Sequence, residues 1–245
     1  MKKDFDANGF AMTELLAGTY DGGIRNYKCW LKRGCHVTPE LQSESTVLIM
    51  FGKGKGYVAS DSHLFNVTEP AFYAPDFDRE PYSIHAIEDM EFVISIVENN
   101  EDDKKLLNAC RVRLPFFTLY SDAVVYDQDC KGPHTTSWSV LGPKQLGRIM
   151  CGVVRATGEG TTEKGHPRVE QWNYCLGDAD FELKVDNEPA VPHKGGDWSY
   201  VPAGWDHALV AQPGKEVFYV WYEHYTREKD FCVTLADGDD ASMYD

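Results

Sequence analysis

Two histidines and a glutamate in the C-terminal half of the chain have the residue types of a metal site. His166 and Glu170 lie close together in GHPRVEQW, and His207 follows a proline–glycine turn in VPAGWDH. Two neutral imidazoles and one carboxylate form a ligand set that suits Fe(II) and accepts Mn, Ni, Co or Zn, with open positions for substrate or water. A carboxylate in an apolar strand is also costly to bury unless it is paired or binds a metal. The residues predict a metal site formed by His166, Glu170 and His207.

The strand that carries these residues predicts which side chains share the site. Alternate residues of a strand lie on one face, so without a bulge the even-numbered positions point together into the interior. These positions are Lys164, His166, Glu170, Trp172 and Tyr174. The nearby aromatic residues are predicted to line a substrate pocket: Trp172, Tyr174, Tyr200 and Trp205. The alternative is that these rings are ordinary core.

Lys164 is the residue whose role decides the chemistry. A protonated ammonium has no lone pair for a metal. Lys164 is therefore expected to hold a substrate anion, to act as a general base with a depressed pKa, or to mark a site that has lost its metal. A side chain that turns out to solvent is the fourth interpretation. Glu163, one residue earlier, is an alternative ligand if the loop register slips.

Two long gapped motifs contain these residues. Gly158-EGTTE-Lys164-Gly-His166-PRV-Glu170-QWNYCL-Gly177 and Gly196-DWSYV-Pro202-Ala-Gly204-WD-His207-ALV-Ala211 follow each other in order. They resemble the two motifs of the cupin superfamily and depart from them at one position each, with lysine for the first histidine and alanine for the final asparagine. The resemblance implies a double-stranded β-helix (jelly-roll) barrel whose lumen holds a divalent metal on the histidines and the glutamate.

Short runs rich in Val, Ile, Phe, Tyr and Trp recur between turn residues along the whole chain, as in TVLIMFG, EFVISIVE and EVFYVWYEHY. Such runs predict an all-β protein made of antiparallel strands. One window, NNEDDKKLLNACRVRL, predicts a short helix.

A loose internal repeat predicts two tandem barrels, a bicupin. STVLIMFGKGKGYV followed by EPAFYAPDFDREPYSIHA has the same order of features as EQWNYCLGDADFEL followed by GDWSYVPAGWDHAL. The expected division is a degenerate barrel over 1–100, a helical connector over 101–145, a metal-site barrel over 146–228 and an acidic tail over 229–245. The first barrel offers His36, Glu40 and Glu44 without the motif spacing, so we expect no metal there and a role in packing or dimerisation.

Composition excludes one class of partner. The formal net charge is −15, whereas nucleic-acid binding requires a surplus of lysine and arginine. Neither a signal peptide nor a membrane-spanning segment is recognisable, which indicates a cytoplasmic protein without a membrane partner.

These features predict a metal-dependent bicupin enzyme that acts on a small polar, anionic metabolite, by isomerase, lyase or hydrolase chemistry. Lys164 and Glu170 are the predicted catalytic residues, and the cofactor is one divalent ion, Fe, Mn, Ni or Zn. The alternatives are an Fe(II)-dependent cupin dioxygenase and a non-catalytic bicupin that binds a small molecule. A homodimer is expected, because barrels pair readily through exposed edge strands.

Overall fold

Antiparallel strands dominate the structure, a computed structural model that describes residues 3–18, 23–109 and 112–225. The all-β prediction is confirmed. The strands divide into two units, one formed within Met1–Lys104 and Val112–Asp122, the other within Lys105–Arg111 and Ala123–Asp245. None of the helices in the described ranges is both long and apolar enough to cross a membrane.

The first unit contains a six-stranded and a four-stranded sheet. Its strands are β1 (Phe10–Glu14), β2 (Ile24–Leu31), β3 (His36–Val37), β4 (Ser45–Lys53), β5 (Gly56–Ser60), β6 (Leu64–Val67), β7 (Ala71–Ala74), β8 (Tyr82–Ala86), β9 (Met90–Glu98) and β10 (Phe116–Leu119). The larger sheet has the order β1-β2-β9-β4-β7-β10, and the smaller one β3-β8-β5-β6. Apolar side chains of both sheets form one core, with Ile49 and Phe92 from the larger sheet and Val58 and Ile84 from the smaller.

The second unit has the same two kinds of sheet. Its strands are β11 (Val124–Tyr126), β12 (Thr135–Leu146), β13 (Ile149–Thr157), β14 (Glu159–Glu163), β15 (Val169–Cys175), β16 (Asp180–Val185), β17 (Val191–Lys194), β18 (Trp198–Val201), β19 (His207–Val210) and β20 (Glu216–Tyr225). The larger sheet has the order β11-β12-β13-β20-β15-β18, and the smaller one β14-β19-β16-β17.

The two units repeat one topology. The run β2-β9-β4-β7 corresponds to β13-β20-β15-β18, and β3-β8-β5-β6 corresponds to β14-β19-β16-β17. The sequence repeat falls on this correspondence, because β4–β5 and β7–β8 carry its first copy and β15–β16 and β18–β19 its second. Each unit is thus a jelly-roll barrel made of two antiparallel sheets.

The segment 101–145 differs from the expected connector. It begins with α1 (Glu101–Ala109), inside the predicted helical window. The backbone amide of Asp103 donates to Asn100 Oδ1 at 3.0 Å and the amide of Asn100 donates to Asp103 Oδ2 at 3.1 Å, a reciprocal cap. After it, β10 pairs with β7 in the first unit, whereas β11 and β12 extend the larger sheet of the second. A 3-10 helix (Tyr120–Asp122) separates β10 from β11. The predicted acidic tail over 229–245 lies outside the described residues.

Candidate metal centre

Glu163, His166 and His207 meet inside the second barrel. Glu163 ends β14 and lies directly opposite His207 at the start of β19. Glu163 Oε2 is 3.4 Å from His166 Nε2 and 3.9 Å from His207 Nε2. Both histidines are buried. One carboxylate oxygen therefore faces the Nε2 atoms of two imidazoles.

Each of these three side chains also has a polar atom that points away from the other two, its outer atom, and that atom contacts a further group. Nδ1 of His166 is 3.2 Å from Glu223 Oε1, and Nδ1 of His207 is 3.3 Å from the carbonyl oxygen of Trp205. Lys131 Nζ donates to the other oxygen of Glu163, Oε1, at 2.9 Å. A carbonyl oxygen only accepts, so Nδ1 of His207 carries the proton and a neutral ring has its lone pair on Nε2. The inner atoms, Oε2 of Glu163 and Nε2 of each histidine, therefore face one another.

The protonation of the cluster follows from burial and charge. Burial alone would raise the pKa of Glu163, but the hydrogen bond from His166 and the charge of Lys131 outweigh it and hold that pKa well below its usual range. Burial would lower the pKa of His166, yet hydrogen bonds to Glu163 and Glu223 raise it to about 10. Burial dominates at His207 and lowers its pKa. Two carboxylates thus balance Lys131 and a protonated His166.

The two motif loops are held together by glycine. A Cβ on Gly165 would overlap the backbone of Gly204, so only glycine permits this approach. Gly204 has a φ of +82°, and its amide donates to the carbonyl oxygen of His166 at 2.9 Å. These glycines bring the loop after β14 against the turn before β19, and this contact positions His166 beside His207.

Glu170 lies on the other face of β15, away from this cluster. Gln171 lines a narrow pocket with Lys131, Glu163 and Glu223, so the odd-numbered residues of β15 face the lumen. Glu170 instead accepts a hydrogen bond from the Tyr200 hydroxyl at 2.6 Å. The prediction that even-numbered residues face the lumen is corrected here, and Glu163 is the carboxylate that the structure brings to both histidines.

The aromatic residues predicted to line a substrate pocket lie elsewhere. Trp172 is fully buried and packs against Tyr200 and Tyr222, with ring centroids 5.5 and 5.4 Å apart. Tyr174 packs near Trp198. These rings share the face of Glu170, as packed core. Trp205 is 42% exposed in the turn before β19, and its carbonyl oxygen is the part that reaches the cluster.

Lys164 points to solvent. Its side chain is 90% exposed and pairs with Asp206 at 2.7 Å. The hydrogen bond to Asp206 raises the pKa of Lys164, opposite to the depressed pKa that a general base would need. The solvent-facing alternative is the one that the structure shows. A different lysine, Lys131, pairs with Glu163 in the cluster, and its side chain is only 5% exposed.

Sequence reasoning missed Lys131, Gln171 and Glu223. Lys131 lies in the segment predicted to be a connector, and no motif marks it. The sequence does indicate Glu223, because this carboxylate lies inside the apolar run EVFYVWYEHY. A carboxylate buried there requires a partner, as Glu170 does. Gln171 lies opposite Glu223 in the ladder of β15 and β20.

The donor set fits a divalent metal ion in its chemistry. Across residues 3–18, 23–109 and 112–225, no three histidine, cysteine, aspartate or glutamate side chains have the spacing of a preformed site. His207 Nε2 and Gln171 Oε1, however, are buried and have no hydrogen-bond partner within the described part of the chain. Such acceptors are costly to leave unpaired, and a cation satisfies them. Glu163, His166, His207 and Gln171 are thus the residues suited to hold a metal.

Comparison with known proteins shows the fold. No family model and no curated protein matches the chain. Among solved structures, protein Ylba from E. coli has a TM-score of 0.71 at 14% identity, covering 93% of this chain and 88% of that one. Lactobacillus farciminis oxalate decarboxylase in a formate complex has a TM-score of 0.67 at 12% identity, covering 92% and 84%. Momordica charantia 7S globulin also has a TM-score of 0.67, at 11% identity, covering 92% and 82%.

These similarities span nearly the whole chain, and they agree with the repeated topology of its two units. At such low identity they establish the architecture only. The chemistry has to be inferred from the residues in the lumen of the barrel. The chain therefore has a fold of two jelly-roll barrels in tandem, as the resemblance of its motifs to the cupin superfamily predicted, and the second barrel encloses Glu163, His166 and His207.

Proposed function

We propose that the C-terminal barrel binds one divalent metal ion and that the protein is a metal-dependent enzyme acting on a small anionic metabolite. The observation that carries the proposal is the orientation of three donors. Glu163, His166 and His207 each have their outer atom tied to another group, and their inner atoms face one another. Outer partners of this kind orient metal ligands and fix the histidine tautomer. Gln171 Oε1 is a further donor.

The charges of the cluster favour binding of a cation, and once the cation is bound they favour binding of an anion. With both imidazoles neutral, Glu163 and Glu223 outweigh Lys131 by one negative charge, which attracts a divalent cation. Filling the site reverses this balance to one surplus positive charge, which favours an anionic substrate. When bound, the ion supplies a Lewis acid that polarises a carbonyl or hydroxyl group of the substrate.

The residues of the chain keep distinct roles in this proposal. Glu223 holds Nδ1 of His166 and prevents the ring from turning. Lys131 holds one oxygen of Glu163 so that the other faces the histidines. The structure of the ligand set supports isomerase, lyase or hydrolase chemistry and equally an Fe(II)-dependent oxygenase, since two histidines and one carboxylate serve both.

A second candidate function is binding without turnover. The observation in its favour is that the cluster is close to neutral without metal, because a protonated His166 lies between Glu163 and Glu223. In that case the barrel keeps its charges paired internally, and metal is not required for folding.

Metal analysis of matched variants tests the proposal. The purified protein is loaded with Mn, Fe, Ni or Zn, desalted and analysed by mass spectrometry of the metal. We expect about one ion per chain in the wild type and in Glu170→Gln, and a loss of metal in Glu163→Gln and His207→Ala. A wild type that retains no metal supports the non-catalytic function. Retention by Glu163→Gln with loss in Glu170→Gln contradicts the ligand assignment. Oxygen consumption with small carboxylic acids then separates oxygenase from non-redox chemistry.

A further inference from the structure

The first barrel has a cavity at the position of the candidate metal centre. The two barrels align through Gly34 and Gly158, which precede β3 and β14 with φ values of +77° and +81°. From these glycines the chain advances in step to β4 and β15, which places Pro39 at the position of Glu163 and Val47 at that of Gln171.

The strand ladders confirm this alignment. Val47 pairs with Ile96 as Gln171 pairs with Glu223. Val37 pairs with Ile84 as Thr161 pairs with Leu209. Counting back along β8 and β19 then places Tyr82 at the position of His207. The same count from the glycines places Gln42 at the position of His166.

The substitutions turn a polar centre into an apolar cavity. Val47 and Ile96 replace an amide and a carboxylate, and Pro39 replaces the central carboxylate. The residues Pro39, Gln42, Val47, Tyr82 and Ile96 all line one cavity of about 460 Å³. In the second barrel the pocket beside Glu163, Gln171 and Glu223 has room for about one water molecule, roughly 10 Å³. On the side of Val47 and Ile96 the first barrel thus has a cavity where the second barrel, beside Gln171 and Glu223, is filled.

The size and lining of the cavity define a class of ligand. A volume of about 460 Å³ lies within the range of small-molecule sites. Its floor is apolar, with Val47, Ile94 and Ile96, and Met12 lies at its rim with 53% of its surface exposed. Arg25 also lines it, and its ion pair with Glu98, at 3.6 Å between two half-exposed side chains, is weak. The lining also includes the carboxylate of Glu40, so Arg25 is the lining residue that can attract an anionic group.

We infer that the N-terminal barrel is a metal-independent binding site for a small molecule with an apolar body and one anionic group, the apolar body lying on Val47, Ile94 and Ile96 and the anion on Arg25. This site is separate from the proposed metal centre. The binding energy comes from burial of the apolar body, and Arg25 selects for the charge.

Fluorescence titration with 1-anilinonaphthalene-8-sulfonate, which has an aromatic body and one sulfonate, tests this inference on the full-length protein. We expect one saturable site whose affinity is unchanged by chelator. Met12→Glu places a like charge at the rim and is expected to weaken binding about tenfold or more. Leu64→Glu, a matched change at an exposed leucine outside the cavity, is expected to leave binding unchanged.

A second pair of measurements tests the role of Arg25. Arg25→Gln is expected to raise the inhibition constant of decanoate, calculated with the dye affinity of that variant, and to leave the inhibition constant of decanol unchanged. Absence of a saturable site, or equal binding by wild type and Met12→Glu, overturns the inference. Because the metal content is measured on the same preparations, a failure here is distinguishable from a failure of the metal site.

Discussion

Glu163 and His207 face each other across the ladder between β14 and β19, with Glu163 Oε2 3.9 Å from His207 Nε2. Two adjacent strands of the smaller sheet therefore supply both a carboxylate and an imidazole to one point. His166, from the loop after β14, adds the third donor. Because two of the three donors are fixed by backbone pairing, the site is built on rigid elements, and its response to substitution is predictable.

Glu223 is expected to control metal affinity without binding the metal. Glu223→Gln removes the charge that holds Nδ1 of His166 and keeps the shape of the side chain. The loss of such an outer partner reduces metal affinity about 10- to 100-fold. Competition against a chelator of known affinity measures the change. Glu216→Gln, on the same strand but paired with Arg155 at the surface, serves as the control. Equal affinities for wild type and Glu223→Gln would show that His166 is not oriented by this carboxylate.

Tyr200 is expected to stabilise the fold and to leave the metal site unaffected. Tyr200→Phe removes the donor 2.6 Å from the buried carboxylate of Glu170. A hydrogen bond to a charged group contributes about 1.5–3 kcal/mol, so the free energy of unfolding should fall by a comparable amount. Urea unfolding of the metal-free protein measures it. Loss of bound metal in Tyr200→Phe, with unchanged stability, would place Glu170 in the metal site after all.

The pair of Glu91 and Lys28 is expected to make stability depend on pH. Lys28 is buried, and its Nζ lies 3.4 Å from Glu91 Oε2. Burial would raise the pKa of Glu91, but the charges of Lys28 and Lys3 lower it overall. The stabilisation is therefore full above the unfolded-state pKa of about 4.3 and is lost as the pH falls through the lower, folded-state pKa.

Glu91→Gln is expected to lower the free energy of unfolding at pH 7 by about 1–3 kcal/mol, because it removes the charge opposite a buried ammonium. The variant should also lose less stability than the wild type between pH 5 and pH 3, a range set by the same reference pKa of about 4.3. Urea unfolding across this range checks both statements. Parallel pH profiles for the two proteins would exclude the pair as a source of the dependence.

The edge strand β11 is expected to mediate self-association. It ends the larger sheet of the second unit, and Val124 and Val125 on it are 71% and 62% exposed. Exposed apolar edges pair with other chains, whereas a lysine blocks that pairing. We expect a homodimer in solution and a monomer for Val124→Lys, measured by analytical ultracentrifugation. Val191→Lys, at a similarly exposed valine on β17, is the matched comparison, and a dimer that survives Val124→Lys would place the interface elsewhere.

The sequence predicted the barrels well because turn glycines and short apolar strands are local signals. The repeat was visible for the same reason, since STVLIMFG and EQWNYCLG each run from a strand into a glycine turn. The motif glycines also marked the correct loops, because Gly165 and Gly204 meet where no Cβ fits.

The choice of carboxylate failed for a physical reason. Alternation of faces holds within one continuous strand, but β14 ends at Glu163 and β15 begins at Val169. The loop between them breaks the count, so the parity of Lys164 and His166 says nothing about that of Glu170. The positions of Lys131 and Glu223 at the site depend on contacts between segments that are distant in the sequence. A local sequence pattern does not predict such contacts.

The β11–β12 hairpin has a consequence for how the chain can be divided. β12 pairs along β13, and the loop between β11 and β12 carries Lys131. A C-terminal fragment that began at residue 146 would expose the edge of β13 and leave the buried carboxylate of Glu163 without its cation. A fragment that keeps β13 paired and Glu163 beside its cation must therefore include the β11–β12 hairpin, and the second unit also includes Lys105–Arg111 of the chain before it.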